Sequence, residues 1–264
     1  MTSGEFESLW QKIESEKTRG SRAVVVFTGA GVSTLSGIKD FRGQGGLYTQ
    51  PWHGHSVEDI LSLTSFMADP SVFYGWSREF CYCLDRFSPN IVHRAVARLE
   101  DLGYTNGVIT QNIDVLHQKA GSRQVFEFHG SPSMHHCLRC RRAFDYDAIA
   151  PTVMKGEVPT CTCGGVIKPD IIFYGESINT RVMEKCFEMA SAARVMIVLG
   201  SSLLVQPAAS IPVIAREAGA TLCIVNAQST PLDKIAHYKF DDLATFAQEI
   251  VAKIGDATND EYKA

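Results

Sequence analysis

The chain lacks any apolar run near the roughly 18 residues that a membrane-crossing helix needs, and nothing in its 264 residues suggests a bilayer span. It lacks a charge excess of either sign. Formal net charge is −4 and the pI is near 6.1, with the basic residues scattered, so electrostatic binding of nucleic acid is not expected. The first residues, Met-Thr-Ser-Gly-Glu-Phe-Glu-Ser, lack the basic and apolar regions of a signal peptide. A cytosolic location is therefore expected. Repeats and low-complexity segments are absent as well. What remains is 45% hydrophobic and 20% charged, an ordinary globular composition with length for one large domain, or one large and one small. The eight cysteines, in a reducing compartment, favour metal ligands or buried thiols over disulfides.

Five stretches read as buried strands, and each runs into small or polar residues. Residues 24–27 lead to Thr28-Gly29-Ala30-Gly31-Val32-Ser33, and 107–109 to Thr110-Gln111-Asn112-Ile113-Asp114. Residues 125–128 lead to His129-Gly130, 195–199 to Gly200-Ser201-Ser202, and 222–225 to Asn226-Ala227-Gln228. Helical spacing separates the strands: Phe6, Leu9, Trp10 and Ile13 at the start, then Ile91, Val92, Ala95, Val96, Leu99 and Leu102, stopped by Gly103. Further helices are expected near 181–192, 208–218 and 243–254, and a strand at 171–173. Strands alternating with helices predict an α/β fold with a doubly wound, Rossmann-like parallel sheet. Ligands of such sheets bind beyond the carboxyl ends of the strands, where nearly all the candidate chemistry lies.

The alternation breaks twice. Residues 43–85 carry glycines, Pro51-Trp52-His53-Gly54-His55 and two helix-like segments. Residues 133–169 carry Cys137-x2-Cys140 and Cys161-x-Cys163-Gly164-Gly165. The expected division is a large Rossmann-like domain at 1–42, 86–132 and 170–255, a small helical and zinc-binding domain from the two insertions, and a frayed tail at 256–264. Four thiolates close a zinc tetrahedron and leave no position for water, so this metal is expected to be structural. The second pair is one residue shorter than the usual knuckle, and the two glycines supply the turn that brings both sulfurs to one ion. Cys81, Cys83, Cys186 and Cys223 sit in apolar patterns and read as core.

Single residues leave alternatives open. The Gly29–Gly31 turn suits a phosphate, because glycines and helix-start amides favour close anion approach; a purely structural turn also fits. Thr34 stands where a dehydrogenase fingerprint has its third glycine, and no acidic residue clearly ends the second strand. Asn112 and Asp114 suit an amide-bearing ligand, or cap the helix that follows. His129, before Gly130, is placed for general base work, or for a bond to a loop carbonyl. His93 and His117 read as packing residues.

Taken together, these residues resemble the sirtuin family, the NAD-dependent protein deacylases, in its short bacterial-type form. The resemblance runs from about Ala23 to Val251. It rests on Gly29-Ala30-Gly31-Val32-Ser33, Gly37-Ile38-Lys39-Asp40-Phe41-Arg42, Thr110-Gln111-Asn112-Ile113-Asp114, His129-Gly130, the four cysteines, Phe173-Tyr174-Gly175-Glu176, Gly200-Ser201-Ser202 and Val225-Asn226, all in the family's order. It implies NAD, consumed as co-substrate, and one structural zinc held by Cys137, Cys140, Cys161 and Cys163. Gly29, Ala30, Gly31 and Ser33 would cradle pyrophosphate, and Arg42 would lie near phosphate and ribose. Asn112 and Asp114 would hold the nicotinamide amide beside Ala30 and Ile38, with Gln111 on its ribose. Gly200, Ser201, Ser202 and Asn226 would face the adenosine half, and Asp242 joins the cofactor-binding set. Phe41, Ile113 and Ile172 would line the acyl-lysine tunnel, while Gly175, Glu176 and Val205 would pair with substrate peptide as strands. His129 would be the general base, with Asn112 also catalytic.

The implied reaction removes an acyl group from lysine and yields nicotinamide, O-acyl-ADP-ribose and free lysine. The implied partners are acyl-lysine proteins or peptides, with no nucleic acid or membrane, and the chain is expected to be a monomer. Lys39 departs from the proline usual at its position. Tyr74 is followed three places on by Ser77, not by the arginine of succinyl-removing members, and Arg78 is off by one, which on a helix is a turn of about 100°. The sequence therefore predicts a preference for acetyl or apolar acyl groups. Protein mono-ADP-ribosyl transfer, a silent NAD-binding module and a redox dehydrogenase are the competing readings.

Overall fold

The structure, a computed structural model, describes residues 3–19 and 23–255, and the tail expected at 256–264 lies outside them. Six strands form the larger sheet: β1 (Val24–Thr28), β2 (Thr105–Thr110), β3 (Val125–Glu127), β7 (Val195–Leu199), β8 (Thr221–Val225) and β9 (Tyr238–Phe240). Their order is β3-β2-β1-β7-β8-β9, and every neighbouring pair is parallel. The chain winds outward from β1 through β2 to β3, then returns to β7 on the other side of β1. The switch point of this doubly wound sheet lies between β1 and β7, where such sheets open a crevice.

Strand alternation explains both faces. Val24 and Val26 of β1, with Val195, Ile197 and Leu199 of β7, pack under α1 (Ser3–Thr18), α5 (Ile91–Asp101) and α10 (Leu243–Ile254). The opposite side chains, Val25, Phe27, Met196 and Val198, pack with α8 (Thr180–Ala192) and α9 (Ser210–Glu217). A strand buried on both faces reads as a continuous aliphatic run. Each fully buried aliphatic stabilises the fold by roughly 1.5–3 kcal/mol. Among the described residues, no helix is long and apolar enough to cross a membrane.

The inserted segments build a second layer. The helices α2 (Val57–Ile60), α3 (Leu63–Ala68), α4 (Pro70–Phe80) and α7 (Tyr146–Met154) pack against a three-stranded antiparallel sheet. That sheet is β5-β4-β6, formed by β4 (Gly130–Cys137), β5 (Ala143–Asp145) and β6 (Ile167–Ile171). Phe66, Phe73, Trp76, Ile171 and Phe173 share its core.

The strand expected at 171–173 in the large domain is thus corrected. The strand is β6, it starts at Ile167, and it belongs to the small sheet. β4 was missed because Gly-Ser-Pro-Ser-Met-His-His-Cys carries no apolar alternation. Its pairing is fixed by its partner. A side chain at Gly130, where φ is +76°, would meet the Asp170 carbonyl oxygen at 2.0 Å, so only glycine lets β4 leave His129 against β6.

Candidate active site

The carboxyl ends of β1, β2, β3, β7 and β8 open into one cavity of about 320 Å³ between the two layers. Gly29, Ala30, Gly31, Ser33, Ile38, Phe41, Arg42, Gln111, Asn112, Ile113, Asp114, His129, Ile172, Gly175, Glu176, Gly200, Ser201, Ser202, Val205 and Asn226 all line it. Asp242 does not. It is the N-cap of α10, where its Oδ1 accepts the Thr245 N–H at 2.7 Å. An acidic residue just after an edge strand reads equally as a ligand contact and as a cap, and here the cap is what forms.

The glycine turn is shaped by its neighbour across the switch point. The Gly31 N–H donates to the Gly200 carbonyl at 2.8 Å, and the Gly29 N–H to the Leu199 carbonyl at 3.0 Å. Gly200 adopts φ +59°, and a Cβ there would stand 2.5 Å from the Val32 nitrogen. The two strand ends therefore interlock backbone to backbone, and the 3-10 segment Ala30–Ser36 sits directly over β7. The turn is structural and also cavity-facing.

Just beyond β2, the two proposed amide binders are preorganised. Asn112 Nδ2 donates to the Gly29 carbonyl at 3.1 Å and to Ser33 Oγ at 3.2 Å. Asp114 accepts Ser33 Oγ–H on Oδ2 at 2.6 Å, and on Oδ1 it accepts the Leu116 N–H at 2.9 Å, capping α6 (Leu116–Lys119). The capping and binding readings of Asp114 are thus compatible, since each carboxylate oxygen has a further lone pair. Gln111 Nε2 reaches across to Ser201 Oγ at 2.7 Å. Beneath them Thr28 Oγ1 donates to Thr110 Oγ1 at 2.8 Å and meets His117 Nε2 at 3.0 Å. His117 and His93 are fully buried packing residues, rings 4.9 Å apart.

His129 is held by one bond: its Nδ1 lies 3.2 Å from the Gln111 carbonyl oxygen. A carbonyl only accepts, so Nδ1 carries the proton and Nε2 keeps its lone pair. Burial pushes the His129 pKa below its usual value, while the Gln111 carbonyl opposes the shift. The result is a neutral imidazole whose basic nitrogen has no hydrogen-bond partner among the described residues.

Several lining residues were not foreseen: Trp76 and Phe80 of α4, then Leu84 and Phe87. Trp76 and Phe80 are four residues apart, stacked at 5.1 Å, and their aromatic helix reads from sequence as core alone. Lys39 and Arg42 also line the cavity, with Arg42 over the Tyr48 ring at 4.7 Å. Tyr74, Ser77 and Arg78 do not line it. The Tyr74 hydroxyl donates to the Ile167 carbonyl at 2.5 Å, and Ser77 is buried.

Away from the cavity, the sulfurs of Cys137, Cys140, Cys161 and Cys163 lie within 4.8 Å of one another. Cys137 and Cys163 are 3.5 Å apart, and Cys140 and Cys161 3.7 Å. Tetrahedral zinc with Zn–S near 2.3 Å sets its sulfurs about 3.8 Å apart, so the set fits. The short second pair works because the Gly164 N–H returns to the Cys161 carbonyl and the Cys161 N–H bonds the Gly165 carbonyl, both at 2.8 Å. Backbone N–H groups of Cys140 and Arg139 point at Cys137 Sγ, each at 3.4 Å, and hold its pKa down to about 6.

Comparison with known proteins follows this geometry. The model of the Sir2 family matches residues 29–207. An NAD-dependent protein deacetylase of Thermotoga maritima is 38% identical over 237 residues, 89% of this chain and 94% of that one. An NAD-dependent protein deacylase 2 of Archaeoglobus fulgidus is 42% identical over 236 residues, 89% of this chain and 90% of that one. A solved Sir2 structure with a p53 peptide and NAD+ superposes with a TM-score of 0.85 at 36% identity, covering 95% of this chain and 98% of that chain.

Proposed function

The chain belongs to the Sir2 family, and from that premise we propose how its cavity divides the work of NAD-dependent deacylation. The protein is an NAD-dependent protein-lysine deacylase that consumes NAD as co-substrate, acts on acyl-lysine peptides and is built to hold one structural zinc.

The observation that carries the assignment of roles is the hydrogen bond from His129 Nδ1 to the Gln111 carbonyl. It fixes the tautomer with a basic Nε2, the form that takes a proton from a ribose hydroxyl near neutral pH. Asn112 and Asp114 sit on the same strand end as Gln111 and take the nicotinamide amide. Gly29, Ala30, Gly31, Ser33 and Arg42 take the pyrophosphate. Gly200, Ser201, Ser202 and Asn226 take the adenosine half. Phe41, Ile113 and Ile172 enclose acyl-lysine and keep water from the reacting ribose carbon. Gly175 and Glu176 pair with the peptide backbone, as does Val205, whose carbonyl already accepts the Ala209 N–H at 2.9 Å. Replacing His129 with Ala is expected to lower kcat/KM by about 10²–10⁴ with the circular dichroism spectrum unchanged; a smaller loss would remove His129 from the base role.

The acyl preference belongs to the same proposal. Trp76, Phe80, Leu84 and Phe87 give the cavity apolar wall, and Arg78 does not line it. Acetyl and apolar acyl-lysine peptides are expected to exceed the succinyl peptide in kcat/KM by at least ~10-fold, the scale of one unmatched charge in an apolar site. Equal or faster desuccinylation would contradict this. The division into a large NAD-binding unit and a small unit is retained, with the second insertion widened to Gly130 and Ile171. So are the monomeric state, the cytosolic location and the lack of nucleic-acid partners, the last supported by the net charge of −4.

A further inference from the structure

We infer that Lys168 is a positioning residue for the peptide-binding segment 172–176, an inference that rests on the proposed pairing of Gly175 and Glu176 with substrate. Lys168 is 6% exposed, inside β6. An ammonium group has three N–H donors, and each finds an acceptor: the Pro169 carbonyl at 3.1 Å, the Ile171 carbonyl at 2.8 Å and Glu176 Oε2 at 2.8 Å. The ammonium also stands 4.0 Å from the centre of the Phe173 ring. One buried cation thus gathers residues 169, 171, 173 and 176.

Those contacts close a loop around Gly175. Glu176 Oε2 also accepts the Phe173 N–H at 2.8 Å, and the Glu176 N–H donates to the Phe173 carbonyl at 2.9 Å. The Ile172 N–H bonds the His129 carbonyl at 2.8 Å, which ties the same frame to the catalytic histidine. The Tyr174 N–H bonds the Leu61 carbonyl, and its own carbonyl accepts from Leu63, at 2.8 and 3.0 Å. Gly175 alone in this segment has neither its N–H nor its C=O hydrogen-bonded among the described residues. A pairing edge this short is useful only when its neighbours are held still, because ordering it at the moment of binding would cost affinity. Lys168 supplies that order in advance. Lys168 does not line the cavity and Glu176 does, so it acts through Glu176.

The test compares two acetyl-lysine substrates at saturating NAD, a peptide with residues on both sides of the acetyl-lysine and a capped single acetyl-lysine with none. In Lys168→Met the peptide KM is expected to rise at least ~10-fold, a change of about 1.4 kcal/mol. The capped residue's KM, and the KM for NAD, should change less than ~2-fold, within ordinary surface-mutation effects. Lys168→Arg, which keeps the charge, should recover much of the peptide KM. Equal losses for both substrates, or no loss for either, would overturn the proposal.

Lys168→Met leaves the Glu176 carboxylate without its cation, which is expected to lower Tm. The double variant Lys168→Met with Glu176→Gln removes both charges, and it should regain Tm while keeping the raised peptide KM. A double variant with the unaltered peptide KM would overturn the proposal. Failure of the underlying reading shows separately, because the unaltered protein would then have the same KM for both substrates.

Discussion

His129 depends on one acceptor, and its pH behaviour follows. The imidazole must be neutral to take a proton, and burial lowers its pKa below the usual value of about 6.5. Raising the pH through that lowered pKa switches the base on, so the acid limb of kcat/KM is expected below pH 6.5, with a plateau through neutrality. A limb centred above 6.5 would mean that burial does not dominate, or that another group is the base. Several of these residues were legible in the sequence because each follows an aliphatic run at the end of a strand, where a polar side chain has little reason to be except a ligand or a cap. Asp114 turned out to serve Ser33 and the α6 cap together. Asp242 shows the limit of the rule, since its cap at Thr245 uses the side chain outside the cavity. Trp76 and Phe80 were invisible for the opposite reason, because a cavity wall and a core face demand the same aromatic residues.

At the scale of elements, five of the six parallel strands announced themselves, while the short parallel β9 and the antiparallel β4 and β5 did not. β1, β7 and β8 are buried on both faces and spell continuous apolar runs. β4 is polar and half-exposed, and its pairing with β5 and β6 makes it a strand. The four-cysteine set lies at the far end of that pair and is the staple that the small sheet needs. Purified protein is expected to carry about one zinc per chain, since four thiolates make a closed site. Cys161→Ala should abolish zinc binding and lower Tm. Activity should fall with it, because β4 begins one residue after His129 and β6 leads into segment 172–176. Metal-free protein with unchanged Tm and turnover would show that the cysteines close without an ion.

Across the whole molecule, two layers meet at the switch point between β1 and β7, and the interlocked turns at Gly31 and Gly200 hold the floor of their cleft. Beneath this floor lie His93 and His117, both fully buried. Burial lowers the His93 pKa to about 4, against the pull of Asp114 and with help from Arg94, and it lowers His117 well below its usual value, with His93 adding to the effect. The unfolded chain binds these protons near pH 6.5, and the folded chain only at far lower pH. Stability is therefore complete above 6.5 and falls as the pH drops toward 4, by about 1.4 kcal/mol per pH unit for each histidine. Urea unfolding at stepped pH should show this loss, and a flat profile between pH 6.5 and 4.5 would contradict it. The sheet and its crevice were readable from strand–helix alternation, whereas the way the insertions share one core with Ile171 and Phe173 was not, because that core is assembled from distant segments.

The most direct measurement is mass spectrometry of an acetyl-lysine peptide incubated with the protein, with and without NAD. The account predicts loss of the acetyl mass together with O-acetyl-ADP-ribose and nicotinamide, only when NAD is present. Deacetylation without NAD, or NAD cleavage that leaves the peptide acetylated or carrying ADP-ribose, would contradict it.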